Sequence, residues 1–369
     1  MRTAFWVWPP GWASGHDNFQ RTLLEGLVAQ TRHPIVMLVA GDAEVPAFAA
    51  PHAAVPVALP SWRFLARDWE KRVCAVGEAA VRATGAECVI GCAHAPMPQP
   101  PGVIVLPTVY ESDFALGLPW NIIGARWTYD NHRRLCRAVT DARAVIAISD
   151  HTARSMRAQF GLAPDDVVVA QPAVPSFGTE IERATGEPYV AVVGWLHPRE
   201  GIRFAIRSWA TARRKGLPHQ LVLIGKAAPT DVVEGDLARM VIDEAEEYAA
   251  DVSWTGLIPR AHYANVLANA SVLLVTSLQE GFGIAVIEAA SLGTPTVATA
   301  RGALAEVAGP AGEVVAPTVD EVSDALVRVT KDPPSDASLR AYAARFSPTA
   351  QAEPVLALLD RLDREVRSG

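Results

Sequence analysis

Long hydrophobic runs are missing from this chain of 369 residues, although half of its residues are hydrophobic. No apolar stretch reaches the roughly 18 residues that a membrane-spanning helix requires. The N-terminus carries one early charge and a short apolar run, but Pro9 and Pro10 stand where a signal peptide would need its cleavage site. We therefore interpret residues 2–8 as the first strand of a globular fold, and the length favours two domains.

Cysteine is scarce as well, with four residues and no Cys-x2-Cys pair. This usage favours reduced thiols and a cytoplasmic location. Cys88, Cys92 and His94 could supply three ligands to a metal ion, but a fourth ligand is missing. We therefore expect neither a metal ion nor another cofactor.

An excess of basic residues is also absent, because the net charge is −7. This charge argues against a nucleic-acid partner. The pattern Gly-x-Gly-x-x-Gly after a strand is missing from both halves of the chain, which disfavours a nicotinamide dehydrogenase. The oligomeric state is not indicated by the sequence.

Short apolar segments alternate with helical patterns along most of the chain. Such alternation predicts parallel sheets with helices on both faces and with ligands at the carboxyl ends of the strands. Further strands of the first half are predicted at 35–39, 87–90, 103–106, 144–148 and 167–169. Those of the second half are predicted at 189–193, 221–224, 252–254, 272–275, 296–299 and 314–315. A linker at residues 171–175 divides the chain into domains 1–175 and 176–345, followed by a helical segment 346–369.

The most informative stretch runs from Ser271 to Pro295 and predicts a buried strand, a glycine-containing loop and a helix that begins near Ile284. The first N–H groups of that helix lack intrahelical partners and carry the positive end of its dipole, so they favour a phosphate. Glu280 and Glu288 flank this position, and carboxylates accept hydrogen bonds from hydroxyl-rich ligands. The alternative is that Glu280 caps the helix and Glu288 lies on a solvated face.

These residues resemble the retaining nucleotide-sugar glycosyltransferases of family 4, of the glycosyl transferases group one type. That family has the GT-B fold and an E-x7-E motif. The matching residues are Glu280-Gly281-Phe282-Gly283, Glu288-Ala289-Ala290 and Gly293-Thr294-Pro295. The resemblance implies an α/β fold of two Rossmann-like domains facing an interdomain cleft. Residues 1–175 would form the acceptor-side domain and residues 176–345 the donor-binding domain, with the helix of 346–369 crossing back to the first.

The resemblance also implies a role for each motif residue. Glu280 would hold hydroxyls of the donor sugar, Glu288 would hold the ribose, and backbone amides between them would hold the diphosphate without a metal. Gly15 would face the diphosphate from the first loop, although a simple turn explains it equally well. Leu257 and Ile258 resemble the loop that contacts the base. The donor-binding residues predicted in this way are Glu280, Gly281, Phe282, Gly283, Ile284, Glu288, Gly15, Leu257 and Ile258. Trp195, Arg199 and Lys226, discussed next, complete the predicted donor-binding set.

Two departures from the family pattern affect its chemistry. Where the family has the Arg and Lys of G-R-L-x-x-x-K-G, this chain has Trp195 and Glu200. A bound diphosphate would lack the two cations of the family pattern and would lie near the Glu200 carboxylate. Both changes weaken diphosphate binding unless another group compensates. Arg199 and Lys226 are the candidate substitutes, and solvated surface charges are the alternative for both.

The second departure replaces the family's T-V-H-D signature with Thr108-Val109-Tyr110-Glu111. The phenol of Tyr110 is a poor proton shuttle near neutral pH. His94 is the nearest replacement, and a loop histidine without a role is the alternative. For Glu111, the alternatives are a position that faces the acceptor and an ordinary surface position. The predicted catalytic residues are accordingly Glu280, His94 and Glu111.

The predicted function is transfer of a sugar from a nucleoside-diphosphate sugar, with UDP, GDP or a related carrier, to a hydroxyl acceptor. The acceptor is a glycan, a lipid-linked compound or a small molecule. A catalytically impaired pseudoenzyme and a transferase with an unusual donor are the alternatives. Aromatic and basic residues at 62–72 favour either peripheral contact with the inner face of a membrane or an ordinary surface helix.

Overall fold

The structure is a computed structural model that describes residues 1–7, 14–41, 53–59, 69–93, 96–109, 122–174, 177, 181, 186–194, 200–225 and 234–368. The chain divides into two compact units. The first comprises Met1–Phe114, Arg126–Ala173 and Phe346–Gly369, and the second comprises Ala115–Ala125 and Val174–Arg345. The domain boundaries predicted at 175 and 345 stay predictions.

The first unit is built on a parallel sheet of seven strands in the order β3-β2-β1-β4-β5-β6-β7. Most of its strands are short, buried runs of apolar residues, as expected where helices cover both faces of a parallel sheet, whereas the edge strand β3 is partly exposed. They are β1 (Thr3–Val7), β2 (Ile35–Ala40), β3 (Ala53–Val57), β4 (Cys88–Cys92), β5 (Ile104–Val109), β6 (Val145–Ala147) and β7 (Val167–Val169). The helices that connect them are α1 (Ser14–Gln30), α2 (Trp69–Thr84), α3 (Ile122–Thr140) and α4 (Asp150–Phe160).

The second unit contains a parallel sheet of six strands in the order β10-β9-β8-β11-β12-β13. Its strands are β8 (Tyr189–Val193), β9 (Gln220–Ile224), β10 (Val252–Trp254), β11 (Val272–Val275), β12 (Thr296–Thr299) and β13 (Gly312–Val315). Its helices are α5 (Ile202–Arg214), α6 (Glu234–Ala245), α7 (Arg260–Asn269), α8 (Ile284–Leu292), α9 (Leu304–Val307), α10 (Val319–Lys331) and α11 (Asp336–Ala343). The core includes the fully buried Trp209, whose indole N–H donates to the His219 carbonyl at 2.9 Å.

The last helix, α12 (Pro348–Ser368), belongs to the first unit and packs along α1. The two helices approach closely because Gly26 has no side chain. A Cβ at Gly26 would lie 1.9 Å from the Pro348 carbonyl oxygen. The N-terminal ammonium of Met1 also pairs with Asp363 of α12 at 2.8 Å. Among the described residues, no helix combines the length and the apolar character needed to cross a bilayer.

Each sheet has one position where the strand order reverses, between β1 and β4 in the first unit and between β8 and β11 in the second. At such a switch point the loops after the two neighbouring strands run in opposite directions, which opens a crevice at the carboxyl ends. In the second unit the loops after β8 and β11 contain Glu200 and Glu280. Glu280 therefore follows a strand at the position where open α/β sheets bind ligands.

Candidate active site

The loop between β11 and α8 ends at a glycine whose backbone only glycine adopts readily. Gly283 has φ 98° and precedes the first residue of α8, Ile284, and it makes no side-chain cap. A Cβ there would lie 3.0 Å from Leu304 Cδ2. Gly283 itself therefore offers no capping side chain to the first-turn N–H groups of α8, and the helix dipole favours an anion beside them.

A neighbouring turn holds the Glu280 end of this loop in place. The Ala303 N–H donates to the Glu280 carbonyl at 2.9 Å. Gly302 has φ 56°, and a Cβ there would lie 2.2 Å from the Glu280 carbonyl oxygen. Phe282 is 1% exposed and anchors the loop in the apolar interior, while Gly281 is also buried. The half-buried Glu280 is thus mounted on a loop that is fixed at both ends.

Glu288 lies in the second turn of α8 and is a buried carboxylate, 8% exposed. The Tyr263 hydroxyl donates to its Oε2 at 2.6 Å, and Arg260 Nη2 lies 3.8 Å from its Oε1. Burial raises the pKa of Glu288, while the Tyr263 hydrogen bond and the Arg260 charge oppose that rise. Burial and the adjacent Glu288 raise the pKa of Tyr263 well above its ordinary value, so the phenol stays a donor.

Arg260 and Tyr263 lie three residues apart on α7, and both reach Glu288 because α7 packs against α8. The Arg260 guanidinium carbon stands 4.6 Å from the centroid of the Phe177 ring, and the Phe177 and Tyr263 ring centroids are 6.1 Å apart. The sequence analysis missed these three residues. Their spacing on α7 places two of them on one face, but the sequence does not show which helix that face meets.

Across the switch point, Glu200 brings a carboxylate to the carboxyl end of β11. The Ser277 hydroxyl donates to Glu200 Oε2 at 3.1 Å, and the Thr276 hydroxyl donates to the Gly201 carbonyl at 3.1 Å. Gly201 has φ 67°, and a Cβ there would lie 2.2 Å from the Thr276 carbonyl oxygen. The segment before α5 is therefore pressed against the loop that follows β11. It carries an acid where the family pattern has a lysine.

Residues 178–346, which include all of these groups except Phe177, match the family model for Glycosyl transferases group 1. The matched segment contains both Glu280 and Glu288. The motif-based recognition is thereby confirmed. Among curated proteins, the MMP alpha-(1->4)-mannosyltransferase of Mycolicibacterium hassiacum is 28% identical over 206 residues, which cover 54% of this chain and 48% of that protein. The chain spans about half the length of the curated relatives it matches.

Solved structures extend the likeness to both units. WaaG, a glycosyltransferase involved in lipopolysaccharide biosynthesis, has a TM-score of 0.70 at 15% identity, covering 96% of this chain and 99% of that one. Anabaena HepE in complex with UDP-glucose has a TM-score of 0.68 at 14% identity, covering 98% and 100%. At these identities the likeness concerns the fold, and it confirms the α/β GT-B class with two Rossmann-like units.

The loop predicted to contact a base lies after β10 of the second unit. Leu257 is 77% exposed there, and Ile258 is half-buried. The loop is tied to the one after β9, because the Gly225 N–H donates to the Gly256 carbonyl at 3.1 Å and the Trp254 indole N–H donates to the Gly225 carbonyl at 2.6 Å. The large apolar side chain of Leu257 is thus exposed to solvent on a constrained turn, where it can pack against the flat face of a ligand.

Other predicted site residues lie elsewhere or outside the described residues. Gly15 was predicted in a loop, but that is wrong, because α1 begins at Ser14 and Gly15 is its second residue, in the first unit. Helix initiation tolerates this glycine because first-turn N–H groups need no intrahelical partner. Cys88 and Cys92 are buried in β4, and no metal-binding group of three ligands occurs among the described residues. The following predicted residues lie outside the described part: His94, Tyr110, Glu111, Trp195, Arg199 and Lys226.

The buried Glu288 carboxylate should lower stability at neutral pH. Its pKa is raised in the folded state, so the folded protein gains stability as pH falls toward that pKa and loses it above. We expect Glu288→Gln to increase the free energy of unfolding at pH 8 by roughly 0.5–2 kcal/mol, with a smaller gain at pH 5. Denaturant titrations at the two pH values measure this, and a gain that grows toward pH 5 would contradict it.

Proposed function

We propose that the protein is a retaining glycosyltransferase that moves a sugar from a nucleoside-diphosphate sugar to a hydroxyl acceptor. The observation that carries this proposal is the buried Glu288 carboxylate, which accepts a hydrogen bond from Tyr263 and lies in the helix that begins after Glu280 and the N-terminal glycine Gly283. Two acids flanking an anion-binding helix end fit a ligand with hydroxyls at both ends and phosphates between them.

The donor is assigned to the 176–345 domain. Glu280 would hold hydroxyls of the sugar, the amides from Gly281 to Ile284 would hold the diphosphate, and Glu288 would hold the ribose. The exposed Leu257 with Ile258 would lie against the base. The HepE structure, which has this fold, was solved with UDP-glucose, and this supports a nucleoside-diphosphate sugar as the donor class.

The chemical step follows from stabilising the leaving diphosphate. As the bond between the anomeric carbon and the diphosphate oxygen breaks, negative charge grows on that oxygen, and the α8 amides with Arg199 and Lys226 would stabilise it. The leaving group takes the proton of the acceptor hydroxyl as the new glycosidic bond forms on the same face. The anomeric configuration is therefore kept, and no metal is required.

The 1–175 domain is assigned to the acceptor, with His94 and Glu111 as its predicted contributors. His94 would contact the transferred sugar and Glu111 the acceptor. The acceptor class remains a hydroxyl compound of a glycan, lipid-linked or small-molecule type. A cytoplasmic location, with or without peripheral membrane contact through residues 62–72, completes the proposal.

A second candidate is a pseudoenzyme that binds a nucleotide or a partner without turnover. The carboxylate of Glu200, hydrogen-bonded to Ser277 beside the loop of α8, favours it because a like charge opposes a diphosphate. Nucleotide binding without transfer to any acceptor would support this candidate. Transfer with retained configuration would exclude it.

Nucleoside diphosphates should stabilise the protein against heat. A ligand at a hundred times its Kd stabilises the folded state by about 2.7 kcal/mol. The nucleoside diphosphate that binds will therefore raise the Tm by several degrees. We expect one of UDP, GDP, ADP and dTDP to do so, and the matching nucleoside without phosphates to do so much less. Thermal unfolding with each compound measures this, and equal shifts for nucleoside and nucleotide would contradict a diphosphate site.

A further inference from the structure

The two oxygens of the Glu288 carboxylate have different surroundings. The Tyr263 hydroxyl donates to Oε2 at 2.6 Å, whereas Arg260 Nη2 stands 3.8 Å from Oε1, beyond hydrogen-bond length. Among the described residues, no donor forms a hydrogen bond to Oε1. The carboxylate is therefore fixed through one oxygen and keeps the other available as an acceptor.

Arg260 is restrained in a position that preserves this asymmetry. Its guanidinium carbon lies 4.6 Å from the centroid of the Phe177 ring, a distance at which the cation is attracted to the aromatic face. A guanidinium that closed onto Glu288 would form a bidentate pair and occupy both carboxylate oxygens. The Tyr263 hydrogen bond and the Phe177 contact together keep the Arg260 guanidinium from closing onto the Glu288 carboxylate.

We propose that Tyr263 is a positioning residue that makes this site selective for nucleoside diphosphates with intact ribose hydroxyls over their deoxy counterparts. The inference rests on the proposed function, in which Glu288 holds the ribose. A ribose hydroxyl would donate to Oε1, the oxygen that Tyr263 leaves available. A deoxy ligand would cover this acceptor without supplying a donor, and that loss is the basis of selectivity.

The test is the substitution Tyr263→Phe, which removes one oxygen atom and keeps the ring against Phe177. Calorimetric titration compares UDP, GDP and ADP with their 2′-deoxy and 3′-deoxy counterparts. We expect the wild-type protein to prefer at least one ribonucleotide by about tenfold or more. In Y263F this ratio should fall to about threefold or less, because the affinity for the ribonucleotide drops while that for the deoxy ligand stays.

Tyr189→Phe is the matched control. The Tyr189 hydroxyl donates to the Val266 carbonyl at 2.5 Å, and burial raises the pKa of Tyr189 to about 12. This substitution removes the same atom from a buried hydrogen bond in the same unit, at the start of β8. We expect Y189F to keep the wild-type ratio. A Tyr263 hydroxyl with only a structural role would weaken ribo and deoxy ligands alike, and an unchanged ratio in Y263F would overturn the inference.

Glu288→Ala distinguishes a failure of this inference from a failure of the proposed function. If E288A loses the preference in affinity for the ribonucleotide over its deoxy counterpart while Y263F keeps it, Glu288 binds the ribose as proposed. Only the role assigned to Tyr263 is then wrong. If E288A keeps the ratio, or if none of the three ribonucleotides binds the wild-type protein, the donor site itself is wrong and the inference falls with it.

Discussion

Replacing Glu280 with glutamine should lower the turnover of sugar transfer by about a hundredfold or more. Glu280 stands on a loop fixed by the Ala303 N–H and by the close approach of Gly302, so its carboxylate has a defined place beside α8. Hydrogen bonds from sugar hydroxyls to an ionised carboxylate contribute about 1.5–3 kcal/mol each, and an amide forms weaker ones. Two such bonds, formed fully only as the sugar reaches the transition state, account for the expected loss of turnover.

The control for this substitution is Glu247→Gln, which removes an exposed carboxylate just before the edge strand β10 of the same sheet. Initial rates at saturating donor and acceptor measure turnover, and circular dichroism with thermal unfolding checks the fold. We expect E247Q to match the wild-type protein. A folded E280Q with turnover within about threefold of wild type would contradict the role of Glu280.

A charge series at position 200 should strengthen diphosphate binding stepwise. The Glu200 carboxylate accepts from Ser277 Oγ at 3.1 Å, beside the loop that leads to α8. Unit charges 4 Å apart interact by about 1 kcal/mol in water and by about 4 kcal/mol near a protein surface. We expect Glu200→Gln to raise the affinity for the binding nucleoside diphosphate about tenfold, and Glu200→Lys to raise it further, with gains that shrink at high salt.

Titration calorimetry at low and high salt measures the series. Glu247→Gln and Glu247→Lys repeat the same changes of net charge away from the switch point and should alter the affinity little. Weaker binding in E200Q would show that the ligand needs this carboxylate. That result would favour a donor of different charge over an ordinary nucleoside-diphosphate sugar.

Four strands of the second unit could be predicted to the residue. Strands β8, β11 and β12 occupy the predicted ranges because each is a short, largely buried run between turn residues. Strand β10 also occupies its predicted range, although Ser253 is exposed at the sheet edge. Strand β3 was missed, since Ala53–Val57 pairs only with β2 at the sheet edge and contains Pro56. Small residues and a proline weaken the apolar signal that identifies a buried strand.

Some residues of the candidate site could likewise be predicted from the sequence, and others could not. Glu280 and Glu288 are connected by one loop and one helix, so their spacing already places them around an anion-binding helix end. Tyr263 and Arg260 reach Glu288 only through the packing of α7 on α8, and Phe177 is far from both in the sequence. Contacts between separate elements depend on tertiary packing, which the local pattern does not encode.

A crystal structure of the protein with the nucleoside diphosphate that stabilises it most tests the central claim most directly. The account predicts phosphate oxygens within hydrogen-bond distance of the N–H groups of Gly283 and Ile284, and a ribose hydroxyl on Glu288 Oε1. A nucleotide bound elsewhere, or one whose ribose points away from Glu288 while Arg260 closes onto that carboxylate, would contradict it.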